Sequence, residues 1–377
     1  MKSRKIGLGK IGLLLGVLLV LFGCSSPIGG SSSSSSSTSA ETLKFAGYYS
    51  DGSKKVPCYW DGSTLHSLGG SLTHSACAYS PAVSSGGTVY TAGYYNDGTN
   101  DVPCYWAGST LTTLKNTNGS DFTNGGYALA LALSGSTVYA VGVYASSSLG
   151  RVPCYWAGGT LVTLKDATGN TPLSNLAYAY SIALSGSTVY TAGYYDNGTT
   201  TVPCYWVGTT LHSLGTSLPS GSTGAEAVSI TLSGSTVYTA GYYYTASDVP
   251  VPCYWEGDTF HSLSGPSSDG SFPSYAYASG IAQSGGTIYT VGYYLVGTKY
   301  VPCYWEGSTL HSLGGSLTSS AYAKAVIVSG GTVFIAGEYY NGKKMMPCYW
   351  EGSSFNDLSG SAPNGGGFPI PDDLFVS

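Results

Sequence analysis

Cysteine offers the most chemistry in this sequence. Seven of nine copies sit in one short motif, Val-Pro-Cys-Tyr-Trp, at Cys58, Cys104, Cys154, Cys204, Cys253, Cys303 and Cys348, the last with Met346 in place of Val. Regular cysteines in an exported chain point to disulfides, a metal centre or reactive thiolates. The spacings are 46, 50, 50, 49, 50 and 45 residues, so each of seven equivalent repeats holds one motif cysteine. Packed sheets stand ~10 Å apart, beyond the ~7 Å Cα separation that a disulfide bridges. A metal fails the same test, because its ligands must meet at one ion. The motif cysteines are therefore expected to be buried thiols acting as small apolar side chains. Cys77 stands outside the motif, near the start of a strand, and is the one thiol with scope for reactivity.

Acid–base chemistry has few candidates. His66, His212, His261 and His311 share one repeat position in Thr-Leu/Phe-His-Ser-Leu, the mark of a half-exposed strand residue; only His74 is unique. Asp61, Glu256, Glu306 and Glu351 each follow the motif Trp and fall in a tight turn. No Gly-x-Ser-x-Gly elbow, Walker loop or His-Glu-x-x-His occurs. The run Asn96–Asp101 lacks the acidic spacing of a calcium loop and matches other turns at its position. Ser267–Gly270 is an unrepeated partial match to the sialidase Asp-box. Three titratable residues break the repeat and are the candidates for an enzymatic site: Glu226, Lys324 and Asp121. No metal or other cofactor is expected.

These residues must be positioned by the repeat. A period of roughly 40–50 residues without helical pattern is the signature of propeller blades. Each period holds four strand signals, as in Tyr127–Gly135, Thr88–Tyr95, the motif itself and Thr64–Leu68. Both faces of such a blade are covered by neighbours, so its strands are nearly continuously apolar and aromatic. The expected fold is all-β: a seven-bladed β-propeller of four-stranded antiparallel blades. Its first-strand signal occurs six times between the motifs, and the chain ends in Asp373–Ser377, which matches that strand. Pairing of this C-terminal strand with the N-terminal blade, which begins at Thr42–Tyr49, would close the ring and remove an exposed edge. An open solenoid would need capping repeats, and none is seen.

Residues two apart on a strand share a face. Cys and Trp of the motif should pack on one neighbouring blade and the intervening Tyr on the other. Pro should stand near the strand start, where no ladder N–H is required. The turns between strands one and two and between three and four are fixed and short. The other two loops vary and lie on one face of an up-down disc, where binding normally resides. Tyr94, Tyr194 and Tyr293 end second strands beside that face, either packing between blades or offering an aromatic platform. Tyr180, Glu226 and Lys324 differ between repeats early in the first strand and are expected to rim the central channel.

The N-terminus carries an address. Lys2, Arg4, Lys5 and Lys10 precede the apolar run Ile11–Phe22, too short to span a bilayer. Leu21-Phe22-Gly23-Cys24 resembles the bacterial lipobox, which implies lipidation of Cys24. Residues 1–23 are then a lipoprotein signal peptide, 24–41 a Ser/Gly-rich flexible tether and 42–377 the propeller. Multiple acyl chains give stable anchoring. Net charge is −5 with 9% charged residues, which excludes the basic footprint of nucleic-acid binding. The segment "VPCYWEGSTLHSLGG…AYAKAVIVSGGTVFIAG" resembles the repeat of secreted bacterial β-propeller lipoproteins and, more loosely, HAF-type extracellular repeats; kelch and WD40 share only the period. That resemblance implies a fold and a place in the bacterial cell envelope, lipid-anchored and periplasmic or at the cell surface. The expected function is a monomeric binding or scaffold propeller for protein or glycan. The alternative is an extracytoplasmic hydrolase or lyase with its site at the channel mouth.

Overall fold

The computed structural model describes residues 43–169, 173 and 175–361, and every regular element in them is a strand except two short 3-10 turns. The strands form seven successive antiparallel units. Units two to seven each pair four strands in chain order; those of unit two are Ala76–Val83, Val89–Asn96, Asp101–Ala107 and Thr110–Thr113. Unit one has three, Lys44–Ser50, Lys55–Asp61 and Thr64–Ser67, so among the described residues it lacks the first strand. Units three and four are further joined by a short parallel bridge, Gly150 to Asn175 and Arg151 to Leu176. The signal peptide, Cys24, the tether and the C-terminal strand Asp373–Ser377 lie outside the described residues.

First strands of consecutive units pack side by side from unit two to unit seven. Each contains a β-bulge at the same place. The extra residues are Tyr79, Leu129, Tyr180, Val228, Ser279 and Lys324. A bulge re-aims its side chain and sharpens the local twist. Opposite it stands the invariant glycine of the second strand. A Cβ on Gly193 would lie 1.8 Å from the Tyr178 carbonyl oxygen. Below the bulge, Ser80, Ser181 and Ser229 accept hydrogen bonds from the backbone N–H groups of Leu131, Ile230 and Ile281 on the next unit, at 3.3–3.4 Å. These bonds satisfy inner-strand donors that burial would otherwise leave without water.

The motif residues form the contacts between units. All seven Trp are 0–1% exposed. Cys154 and Trp156 pack with Ala92 and Leu114 of the preceding unit, while Tyr155 packs against Ala177 and Trp206 of the following one. Burying one indole contributes about 4–6 kcal/mol of transfer free energy. The indole N–H also has an assigned partner across the same junction: Trp156, Trp206 and Trp305 donate to the carbonyls of Lys115, Lys165 and Ser264 at 2.8–3.0 Å. The motif is thus a wedge with an apolar body and one polar latch. The same contact joins the last unit to the first. Ala336, Met346 and Leu358 form one cluster with Phe45, Cys58 and Trp60, and the rings of Phe45 and Tyr349 lie 5.7 Å apart.

Pro57 is the third of seven residues in its strand. Its carbonyl accepts from the N–H of Leu68, at 2.8 Å, just past the last paired residue of the outer strand. N and carbonyl of one strand residue point the same way, so the missing N–H faces outward where the outer strand ends. Every described cysteine is a buried free thiol, including Cys77, which is 1% exposed and donates to the Tyr94 hydroxyl at 3.5 Å. The scope for reactivity expected of Cys77 is removed by that burial.

Candidate binding face

Antiparallel order places the loops between strands two and three, and between strand four and the next first strand, on one face. Tyrosines converge where that face meets the inner strands. Tyr48, Tyr94, Tyr194 and Tyr242 from second strands join Tyr79, Tyr178 and Tyr180 from first strands in one buried cluster, with Tyr127, Tyr244 and Tyr277 against it. Rings meet edge-on or offset, as Tyr94–Tyr127 at 5.1 Å and Tyr178–Tyr194 at 5.5 Å, the arrangements that aromatic quadrupoles favour. Tyr94, Tyr194 and Tyr293 are 4–8% exposed, so they present no open platform. Beneath them a cavity of about 30 Å³, lined by Tyr180, Ser279 and Lys324 among others, has room for only a water or two.

Tyr180 and Lys324 both line this cavity, and Glu226 stands beside Tyr180. Tyr180 donates to Glu226 Oε2 at 3.3 Å. Burial pushes the Glu226 carboxyl up to about 7, and the hydroxyls of Tyr242 and Tyr180 draw it partly back. Tyr242 faces this carboxylate without reaching hydrogen-bonding geometry. Burial also lifts the Tyr178 phenol to about 12, so the phenols stay neutral near neutral pH. Lys324 forms an ion pair with Glu338 at 3.3 Å and stands 5.1 Å from the ring centre of Tyr322. Glu338 occupies the position held by Tyr94 and Tyr194 in other units. Asp121 is not brought to this cavity: it pairs with Lys115 at 2.6 Å in an exposed loop. The repeated histidines are accounted for as strand residues. Tyr59 and His66, for example, stack across strands at 4.6 Å.

Residues that sequence reasoning passed over stand around the rim. The position before each motif Val is different in every unit, and it carries Lys55, Asp101 and Arg151. Lys55 lies 4.9 Å from the ring centre of Tyr48, Arg151 lies 5.6 Å from that of Tyr127, and Tyr127 donates to Asp101 at 2.9 Å. Their signal was present in the aligned repeats, one residue outside the quoted motif. The exposed large apolar side chains among the described residues are Leu176, Tyr275, Val296 and Tyr340, at 38–48%. Leu176, Val296 and Tyr340 lie at strand ends beside the variable loops, and Tyr275 immediately precedes a first strand. Two grooves open on the same face, about 350 Å³ beside Tyr195 and about 270 Å³ beside Tyr339 and Tyr340. No group of three or more metal-ligating side chains occurs among the described residues.

No protein-family model matches this sequence, and no curated protein does. Solved structures with a similar fold include the β-propeller domain of the trilobed protease from Pyrococcus furiosus, with 10% identity, a TM-score of 0.49 and coverage of 85% of this chain and 95% of that one. A six-bladed fungal lectin that recognises fucose, from Aleuria aurantia, matches with 13% identity and a TM-score of 0.38 over 76% and 96%. The extracellular domain of a hybrid two-component system from B. thetaiotaomicron matches with 12% identity and a TM-score of 0.46; it covers 85% of this chain, which spans only 37% of that one.

Proposed function

We propose that this chain is a lipid-anchored glycan-binding protein of the bacterial cell envelope. In this reading it is a seven-bladed ring. Residues Asp373–Ser377 supply the first strand that unit one lacks, and Cys24 with the tether holds the ring off a membrane. One observation carries the binding function: Leu176, Tyr275, Val296 and Tyr340 all stand on the variable-loop face. Large apolar side chains exposed on a face of variable loops fit an interaction surface. Glycan is favoured over protein because the two grooves on this face, one of them lined by Tyr340, carry hydroxyls, amides and aromatic rings. The hydrolase or lyase reading is weaker, since Glu226 and Lys324 are 2–3% exposed and already engaged with neighbours.

The test is a glycan array probed with the full chain and with a Tyr275→Ala/Tyr340→Ala variant. Retention of envelope or plant polysaccharides by the parent, reduced about tenfold or more in the variant, supports the proposal. Equal retention by both proteins, or none by either, overturns it.

A further inference from the structure

The groove beside Tyr195 is an opened version of a junction that the same chain closes twice elsewhere. In units one and six the loop between strands two and three is laced to the loop after strand four. Lys54 Nζ donates to the Leu72 carbonyl, and Lys299 Nζ to the Leu317 carbonyl. The next backbone N–H, of Lys55 or Tyr300, donates to Ser75 or Ser320 at 3.0–3.1 Å. Unit four has the same loop start, Leu214-Gly215-Thr216-Ser217-Leu218, but changes both partners. Thr200 stands where the lysines stand and is too short to cross. Gly224 stands where the serines stand. The loop also runs six residues from Leu218 to Gly224, against three from Leu72 to Ser75, which widens the gap.

What this leaves is a built cleft. Its volume is about 350 Å³, at the lower end of the ~300–1,000 Å³ found for small-molecule sites. Its far wall is held in place: Ser217 donates to the Leu214 carbonyl at 2.8 Å and accepts from the Trp255 indole at 3.1 Å, and Ser222 donates to the Pro219 carbonyl at 2.7 Å. Trp156, Trp206 and Trp305 latch onto main-chain carbonyls; Trp255 instead holds the side chain of Ser217, which sits between the lining residues Thr216 and Leu218. Tyr195 supplies an aromatic side, and Asn197, Thr200, Thr201, Ser213 and Ser222 supply neutral donors and acceptors. No charged side chain lines the cleft. A charged ligand would be desolvated there without a counter-charge.

We infer that this cleft is a subsite for one neutral hexose unit of the glycan, with the sugar against Tyr195 and its hydroxyls on the Asn and Thr side chains. The inference rests on the glycan-binding reading of the variable face. The full chain is tested by saturation-transfer NMR against methyl glycosides of neutral hexoses, with methyl uronates as the charged comparison. Thr200→Lys copies the closed junction of units one and six, and Thr200→Ser keeps it open; melting curves confirm that both fold. The expected result is transfer to at least one neutral glycoside and none to the uronates, weakened about tenfold or more by Thr200→Lys and unchanged by Thr200→Ser. No transfer to any neutral glycoside, transfer to uronates alone, or undiminished transfer in Thr200→Lys overturns the inference. Array retention that survives Thr200→Lys but is lost in Tyr275→Ala/Tyr340→Ala removes the subsite and leaves the face. Transfer that responds to Thr200→Lys while array retention ignores the tyrosine changes removes the face reading and leaves the cleft.

Discussion

Glu226 is where a single side chain departs most from its solution chemistry. Its carboxyl rises from 4.5 to about 7, chiefly through burial. Below pH of about 4.5 both folded and unfolded chains hold the proton. As pH rises to about 7 the unfolded chain releases it first, so stability falls through that window and stays lower above it. The penalty is about 3 kcal/mol. Glu226→Gln removes the ionisation, and denaturant melts should show no gain near pH of about 4 and a gain of up to about 3 kcal/mol near pH 8. An equal effect at both pH values would contradict the burial argument. Lys324 and Glu338 present the paired case. Lys324→Leu alone leaves a buried carboxylate and should cost about 3–5 kcal/mol. Lys324→Leu/Glu338→Tyr copies residue types found at these positions in other units and should recover most of that loss. The sequence singled out Tyr180, Glu226 and Lys324 because they interrupt a repeat. It did not reveal Glu338, because that residue is hidden in a second-strand tyrosine position and its partner lies across a bulge. A bulge has no signature in strand alternation, so the aim of Lys324 was not legible.

At the level of the strand, the repeated residues have separate packing roles. The second-strand glycine lies against the bulge, where a methyl group meets a carbonyl oxygen at bonding range. Gly193→Ala should therefore cost about 3 kcal/mol or more, whereas Gly198→Ala in the adjoining loop meets no atom within 4 Å and carries only the strain of its φ of 91°. Comparing the two melting midpoints separates contact from backbone freedom. The motif cysteines were legible as small apolar groups, since sheet spacing alone forbids their pairing. Burial raises the thiols of Cys58, Cys104, Cys154, Cys204, Cys253, Cys303 and Cys348 well above their ordinary value. Native protein should leave these seven unlabelled by a thiol reagent and denatured protein should label them all; fast native labelling would mean that the wedges open.

Across the whole molecule, the period and the strand types were written plainly in the chain, while the proposed closure of the ring involves residues outside those described. The contact of Phe45 and Trp60 with Ala336 and Leu358 repeats the junction seen between units two and three. Under the proposed closure, removal of residues 362–377 should lower the melting midpoint by several degrees and expose the inner edge of Lys44–Ser50 to hydrogen exchange. Unchanged exchange there would show that the tail takes no part. Under the proposed reading, function is distributed in the opposite sense from the fold: the constant motif builds the ring, and the non-repeating loops and rim residues give the face its chemistry. Hydrogen exchange of the full chain with and without a polysaccharide retained on the array tests that division most directly. Protection confined to the loops after second and fourth strands, including Tyr195–Thr201 and Leu214–Gly224, is the predicted result. Protection on the opposite face, at turns such as Gly135 and Gly186, with none at the variable loops, would contradict it.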